Sequence, residues 1–459
     1  MALAPATAAA YDLLHQGCLA LSQVEQNGIR IDRGWLERAK CNVTEEIALR
    51  EDEMRGDPLW KRWRRRYGAK ANIGSRPQLG TLLFEELGYK SKRKTETGRH
   101  KTDAKALEAI DLPFVKAFLK VEKLKKLRGT YLLGIERECV GETLHPVFNL
   151  HTTVTYRSSC DSPNFQNLPI RDPESGQLIR RCFIPRPGRR LVEIDYVGIE
   201  VRVAACYNQD PRLIEYIRDP SKDMHRDMAA QCFMVEPEQV NKMLRYCAKN
   251  MYVFPEFYGS YWAQCATDLW EAIDHHDLTV EDRPLKEHLK EQGIRGLGKA
   301  ENTHPKSFMA HIKKVEEDFW NRRFRVYAQW KREHYLRYQR EGGANTLTGF
   351  RLEGYFGRND IINYPIQGSA FHCLLASMIR IQRALKKRRM QTLLVGQIHD
   401  SLLADVPESE YEEYLQLARR IMTVDLMKRW EWINVPIEVE AEATPVDGAW
   451  SEKKGVTIA

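Results

Sequence analysis

This chain of 459 residues contains no run of roughly 18 apolar residues, which excludes a membrane-spanning helix. Its first ten residues are small and apolar but lack the basic start of a secretory signal. The ten cysteines are scattered, with no C-x-x-C pair. That excludes a disulfide framework and a cysteine zinc site, and points to a reducing compartment. No internal repeat is present. Nor is there a large charge excess: 71 Lys and Arg face 63 Asp and Glu, for a net charge of +8. What excess there is falls unevenly. Basic clusters occur at Lys61 to Arg66, Lys90 to Lys94, Lys123 to Arg128, Arg180 to Arg190 and Lys386 to Arg389. Any one of them reads equally well as a solvated helix face. Five together favour a polyanionic partner, because neutralising phosphates releases counterions.

The hydrophobic patterning divides the chain. Residues 1 to about 145 read as helical. A first helix is stopped by Gly28 and followed by a short extended piece. Ser75 is the expected N-cap of a helix with apolar Leu79, Leu82 and Leu83 at helical spacing. Lys90 to Lys101 is polar, basic and expected to be mobile, and Phe118 to Leu132 is amphipathic. Short strands and turns follow from 146 to 195. Helical spacing returns from about 211 to 345, interrupted by a polar stretch from Asp274 to Pro305 that reads as a loop or insertion. The last part reads as strands around a helix at Gly368 to Lys387. A sheet assembled from such separated segments predicts an α+β fold.

Two strand-like runs each deliver one carboxylate to their end: Val192-Glu193-Ile194-Asp195 and Gly396-Gln397-Ile398-His399-Asp400. Taken singly, Asp195 reads as a helix N-cap and Asp400 as a turn residue. Brought together at about 4 Å they would repel by about 4 kcal/mol at an effective dielectric near 20. A divalent cation between them removes that cost. Hard oxygen ligands suit Mg²⁺, which takes one or two carboxylates plus substrate phosphates. Two such ions serve an in-line displacement at phosphorus.

Six segments in order extend the pattern. They are Arg157-Ser158-Ser159 with Pro163 to Arg171, then Asp195-Tyr196-x-x-Ile199-Glu200-x-Arg202. Next come Arg245-x-x-Ala248-Lys249, Tyr258-Gly259, Asn363-x-Pro365-x-Gln367-Gly368 and Gln397-Ile398-His399-Asp400. The set resembles the polymerase module of family A DNA polymerases, the bacterial polymerase I and phage replicase family. The stretches Asn27 to Asp32 and Ser75 to Leu79 resemble further parts of it.

The resemblance implies a right-hand fold with an antiparallel-sheet palm, helical fingers and a helical thumb. The segments would be an N-terminal piece at the palm and thumb base (1–40), thumb (41–145), palm (146–210), fingers (211–345) and palm again (346–459). It implies templated addition of dNTPs to a primer 3′-hydroxyl, in replication or repair. Asp195 and Asp400 would hold two Mg²⁺ ions, with Mn²⁺ a possible substitute. Arg245, Lys249 and His225 would bind the triphosphate, and Lys249 would protonate the leaving pyrophosphate. Phe254 and Tyr258 would face the nucleotide, and Glu200 with Tyr258 would crowd the ribose 2′ position. Arg157, Asn167, Gln367 and His399 would contact the primer–template. The expected setting is the cytoplasm of a bacterial or phage-infected cell.

The chain departs from the family pattern in four ways. Lys249 to Phe254 spans five residues where the family has four, and Pro255 follows; a π-bulge or kink would restore Tyr258 to the active face. Without it, Val253 and Phe257 would take the two aromatic positions. Gly198 stands where a polar side chain is usual. Ser401 replaces the common acidic residue after His-Asp. The family matches begin within the first thirty residues, so the expectation is no 3′→5′ proofreading unless a separate exonuclease supplies it. A processivity factor is a further conceivable partner. The alternatives are a single-subunit RNA polymerase, a translesion polymerase and an inactive primer–template binding protein.

Overall fold

The strand and the hairpin that carry the two carboxylates meet in one antiparallel sheet. Its strands are β1 (Arg189–Tyr196), β2 (Leu393–Ile398), β3 (Ser401–Pro407), β4 (Val439–Ala443) and β5 (Lys454–Val456). Their spatial order is β2-β3-β1-β4-β5. The computed structural model describes residues 5–90, 94, 98, 100–169, 172–301 and 303–458. Arg171 and most of the basic stretch from Lys90 to Lys101 lie outside the described residues. No helix among the described residues is long and apolar enough to cross a membrane.

Side chains alternate across a strand. Val192, Ile194 and Tyr196 of β1 therefore share one face, while Glu193 and Asp195 share the other. The first face is covered by the helix Arg358–Arg388, where Ser377 and Tyr196 share a hydrogen bond of 2.9 Å between hydroxyls. This helix has 31 residues, most of its central ones buried, and reaches about 46 Å at 1.5 Å per residue. It starts ten residues before the expected Gly368. Pro365 lies inside it, although a proline ordinarily marks a helix boundary. The orphaned carbonyl is Ile361, four residues back, and it faces His334 Nε2 at 3.2 Å. A tertiary contact thus satisfies the group that the proline leaves free.

Several local expectations hold. The first helix runs Ala8–Asn27 and ends at Gly28, whose φ is +58°. Ser75 caps Arg76–Gly80, and Leu79, Leu82 and Leu83 are buried. They belong to a second core, with Trp60, Trp63, Phe114 and Phe118, inside the N-terminal helical lobe. The polar stretch from Asp274 to Pro305 contains more structure than a loop. It holds a hairpin (Thr279–Val280 with Arg283–Pro284) and a helix (Leu285–Glu291), anchored by buried Leu278, Val280, Leu285 and Leu289.

Arg186 ties this architecture together. Its guanidinium donates to the buried Asp405 of β3 at 2.7 Å and to the carbonyl of Asn27, at the end of the first helix, at 2.6 Å. Removing one partner of such a pair strands the other charge. Arg186→Met is expected to destabilise the fold by about 3 kcal/mol in thermal melting, and Arg186→Lys by less.

Candidate active site

Asp195 sits at the C-terminal end of β1, in register with Ser401 of β3 on one side and Glu440 of β4 on the other. The next helix, Ile199–Asn208, begins after Gly198, so Asp195 is not its N-cap. Gly198 is left-handed, with φ +59° and ψ +43°, a conformation that favours glycine. Asp400 occupies the tight turn between β2 and β3 beside His399, whose φ is +49°. The Tyr196 amide donates to the Asp400 carbonyl at 3.3 Å, which fixes the two strand ends against each other.

The site is a pocket of negative charge. Asp195 Oδ1 is buried and has no hydrogen-bond partner. Burial first, then the carboxylates of Asp400, Glu193 and Glu440, push the Asp195 carboxyl up to about 7. Burial likewise raises Asp400 to about 6; Arg157 opposes that rise and Glu200 adds to it. Arg157 bridges Glu200, at 3.3 Å, and Asp400, at 3.5 Å. Glu200 also accepts from the Tyr258 hydroxyl. One arginine therefore faces a cluster of carboxylates, and none of its contacts reaches Asp195.

The turn that carries Asp400 is braced by amides. Gln397 is buried, donates to the His399 carbonyl at 2.8 Å, and accepts from Ser158 and from Gln166. Ser401 donates to Glu193 Oε1 at 3.0 Å. Glu193 in turn accepts from Trp450 Nε1 at 3.0 Å and from Lys453 Nζ at 2.6 Å. A carboxylate at position 401 would confront that of Glu193. The serine instead turns the cross-strand neighbour into a donor, and Lys453 holds Glu193 below the ordinary glutamate range despite its burial.

Facing the sheet is the helix Lys242–Ala248, continued by a wider π-turn at Lys249–Val253. The Phe254 amide donates to the Lys249 carbonyl, five residues back. Pro255 has no N–H to offer, and the wide turn takes up the extra residue. Phe254 consequently lies on the same side as Lys249, whose ammonium is 5.3 Å from its ring centroid, and His225, at 5.6 Å between rings. Phe254 also neighbours Tyr258, at 6.4 Å between rings. Val253 and Phe257 are buried instead, Phe257 among Phe319, Phe324 and Tyr327. The ungapped alternative is thereby corrected. The helix end is held from afar: Asn363 donates to the Tyr258 carbonyl at 2.9 Å, and Asn359 to that of Gly259 at 2.8 Å. Gly259 has φ +93°, and a Cβ there would collide with Asn359.

Arg245, Lys249 and His225 gather at one end of this helix. Asp223 orients Arg245 at 2.6 Å and caps the helix that begins with Met224. Burial, followed by the charges of Lys249 and Arg245, lowers the His225 imidazole to about 4. Its Nδ1 is buried without a partner. Two cations and an unpaired ring nitrogen make an anion site.

Asn167 and Gln367 are less closely integrated. Asn167 is exposed, its carbonyl accepting from Tyr131 at 3.4 Å, and Gln367 is half-buried on the long helix. Arg202, part of the quoted motif, is structural: it donates to the Val197 carbonyl at 2.8 Å and to Glu438 at 2.5 Å.

The donor set suits a divalent cation. Two raised carboxylates, one with an orphaned buried oxygen, supply hard oxygen ligands, and Arg157 offsets the charge of Asp400 through an ion pair that does not reach Asp195. Among the described residues no set of three His, Cys, Asp or Glu closes a protein-only cage.

Residues 51–277 and 313–449 match the family described as DNA polymerase family A. The chain belongs to this family. It is 31% identical over 425 residues to the thermostable DNA polymerase I of Thermus thermophilus, covering 92% of this chain and 46% of that protein. Identity is 30% to DNA polymerase I of Chloroflexus aurantiacus, over 93% of this chain and 41% of the relative. It is 25% to a DNA polymerase of Bacillus phage SP01, over 90% and 47%. The chain thus spans about half the length of the curated relatives it matches. Among solved structures, it resembles the POL domain of Pol1 from M. smegmatis in complex with DNA primer-template and dNTP. The TM-score is 0.74, with 26% identity, over 96% of this chain and 70% of that one. The fold is accordingly the right-hand polymerase fold, with an antiparallel-sheet palm and helical fingers and thumb. The gap in the family match, 278–312, overlaps the polar stretch with its hairpin and helix.

The raised Asp195 carboxyl makes stability depend on pH. The folded protein holds this proton more tightly than the unfolded chain does. The resulting stability is present at acid pH and is lost as pH rises from about 4 towards 7. Without metal, Asp195→Asn is expected to exceed the wild type by on the order of 2 kcal/mol at about pH 8. The two should melt together below about pH 4, where the carboxyl is protonated in the folded and the unfolded chain alike. Equal melting at both values would count against the buried charge.

Proposed function

We propose that this chain is a template-directed DNA polymerase that adds dNTPs to a primer 3′-hydroxyl. One observation carries the proposal. Two raised carboxylates lie at the strand ends, and Arg245, Lys249, Phe254 and Tyr258 gather beside His225 of a neighbouring helix, with Tyr258 hydrogen-bonded to Glu200 of the carboxylate cluster. A relative of the same fold binds DNA primer-template and dNTP, which supports the same partners here. The proposed segments are thumb at 41–145, fingers at 211–345, and palm at 146–210 and 346–459, with residues 1–40 at the base.

Asp195 and Asp400 are the residues that would hold magnesium, two ions in all, with manganese a substitute. When bound, these ions neutralise the reacting oxygens and make the attacking hydroxyl more acidic. Arg245, Lys249 and His225 receive the triphosphate, and Asp223 keeps Arg245 aimed. The primer oxygen bonds to the α-phosphorus as the bond to the pyrophosphate oxygen breaks. Lys249 delivers a proton to that leaving oxygen, and the 3′-hydroxyl proton passes to solvent. Catalysis is then mostly positioning and charge neutralisation.

The Glu200–Tyr258 hydrogen bond supports choosing dNTPs over NTPs, because it closes the side of the pocket where a 2′-hydroxyl would project. Arg157, Asn167, Gln367 and His399 are proposed to follow the minor groove at the primer end. Acceptors there are nearly alike for every pair, so pair shape is tested without reading sequence. To engage DNA, Arg157 must exchange its bonds to Asp400 and Glu200. Absence of 3′→5′ proofreading remains part of the proposal and is read by offering a mismatched primer end. A separate exonuclease or processivity factor is proposed as an accessory partner, with the cytoplasm as the working compartment.

Extension of a labelled primer with Mg²⁺ tests the function. Wild type is expected to add dNTPs as the template directs, and Asp400→Ala to lose at least about 100-fold. Glu200→Ala should narrow the preference for dNTPs over NTPs by about tenfold or more. No extension by wild type, with duplex binding intact, would favour an inactive binding protein. Equal use of NTPs would favour an RNA polymerase.

A further inference from the structure

The far end of the helix Arg358–Arg388 carries a cationic cavity that the reaction does not use. Arg380, Arg383, Lys387 and Arg388 line it from this helix, and Arg420 from the helix Tyr411–Arg420. The cavity encloses about 610 Å³. Three carboxylates offset part of the charge. Asp425 meets Arg380 at 3.1 Å and Arg420 at 3.7 Å, and Glu413 meets Arg388 at 2.7 Å. Asp12 is the third, acting on the neighbouring Arg429, whose charge burial disfavours first and Arg380 and Arg383 disfavour further. Arg383 donates only to the neutral Gln16, at 2.7 Å, and Lys387 has no carboxylate partner among the described residues. The positive charge is thus in excess and is aimed into a concavity from two walls. Guanidinium forks match phosphate oxygens in geometry and charge.

We propose that this cavity binds the phosphate backbone of nucleic acid at a distance from the reacting end; the inference rests on the polymerase reading above. Lys387 lies twenty residues beyond Gln367 on one helix, which is about 30 Å. That equals about nine base-pair steps at 3.4 Å each. Twenty residues at 3.6 per turn also carry Lys387 about 200° round the helix from Gln367, so a strand that meets both curves round the helix between them. The phosphates can come from duplex or from single strand, since both present the same group. The gain is retention of the DNA, with no effect on the chemical step.

The test compares wild type with Arg383→Gln/Lys387→Gln on three DNAs that share one primer end. The first is a short primer–template, the second has its duplex lengthened by about fifteen pairs, and the third has its template overhang lengthened equally. Binding is measured across a salt series, with melting temperature and extension of the short DNA as controls. On one lengthened DNA the variant's slope of log K against log salt should be shallower by about 1.8 for duplex or 1.4 for single strand. The short DNA should show no difference. Coincident slopes on all three DNAs would overturn the proposal. If polyglutamate binding were lost in the variant while the DNA slopes coincided, the site would pass to an acidic protein partner, again overturning it. A wild type that binds as described but never extends the primer would sink the polymerase reading and leave this site standing.

Discussion

An unbalanced carboxylate at the end of a central strand sets the terms for the rest of this molecule. Asp195 is buried, one of its oxygens is unpartnered, and three further carboxylates act on it. Folding alone would not favour such an arrangement, because buried charges are ordinarily paired. It persists because the sheet over-determines it. Strand β1 is hydrogen-bonded on both sides, and its opposite face is packed against the long buried helix. The energetic cost sits where a cation and a triphosphate would later act.

Around that centre, polar contacts set spacing rather than supply much stability. Gln397 braces the turn of Asp400, and Lys453 neutralises Glu193 so that Ser401 can tie β3 to β1. Arg157 acts differently, as a provisional counter-charge for Asp400 and Glu200. On the function proposed, Arg157 would bond the Asp400 carboxylate before DNA arrives and the primer end afterwards, which would link occupancy of the two sites.

The candidate site was legible in the sequence wherever its arrangement depended on local spacing. Two strand-ending carboxylates, Arg245 and Lys249 four apart, and the extra residue before Pro255 can all be counted along the chain. The count foresaw a widened turn, expected near Val253 to Pro255 and found at Lys249–Val253, because a fixed helical twist makes one added residue either rotate Tyr258 away or be absorbed. Long-range contacts were not legible. The helix expected from Gly368 begins at Arg358 with Pro365 inside it, and the carbonyl that the proline leaves free is met by His334 from another helix. Asp195 looked like an N-cap because the turn through left-handed Gly198 leaves no local signal in the pattern. The polar stretch from Asp274 to Pro305 hid a hairpin whose few apolar anchors are widely spaced. The roles of Glu193, Asn359 and Asn363 depend on partners from about 100 to 260 residues away, which no periodicity reveals.

The most direct measurement is proton release when Mg²⁺ is added to the protein at about pH 6.5. Asp195 and Asp400 titrate near 7 and 6, so a cation bound by both must displace protons there and progressively fewer towards pH 8. Release by wild type that fades with rising pH, and is absent from Asp195→Asn/Asp400→Asn, is the expected result. Magnesium binding without proton release, or equal release by the double variant, would contradict the assignment of these two carboxylates.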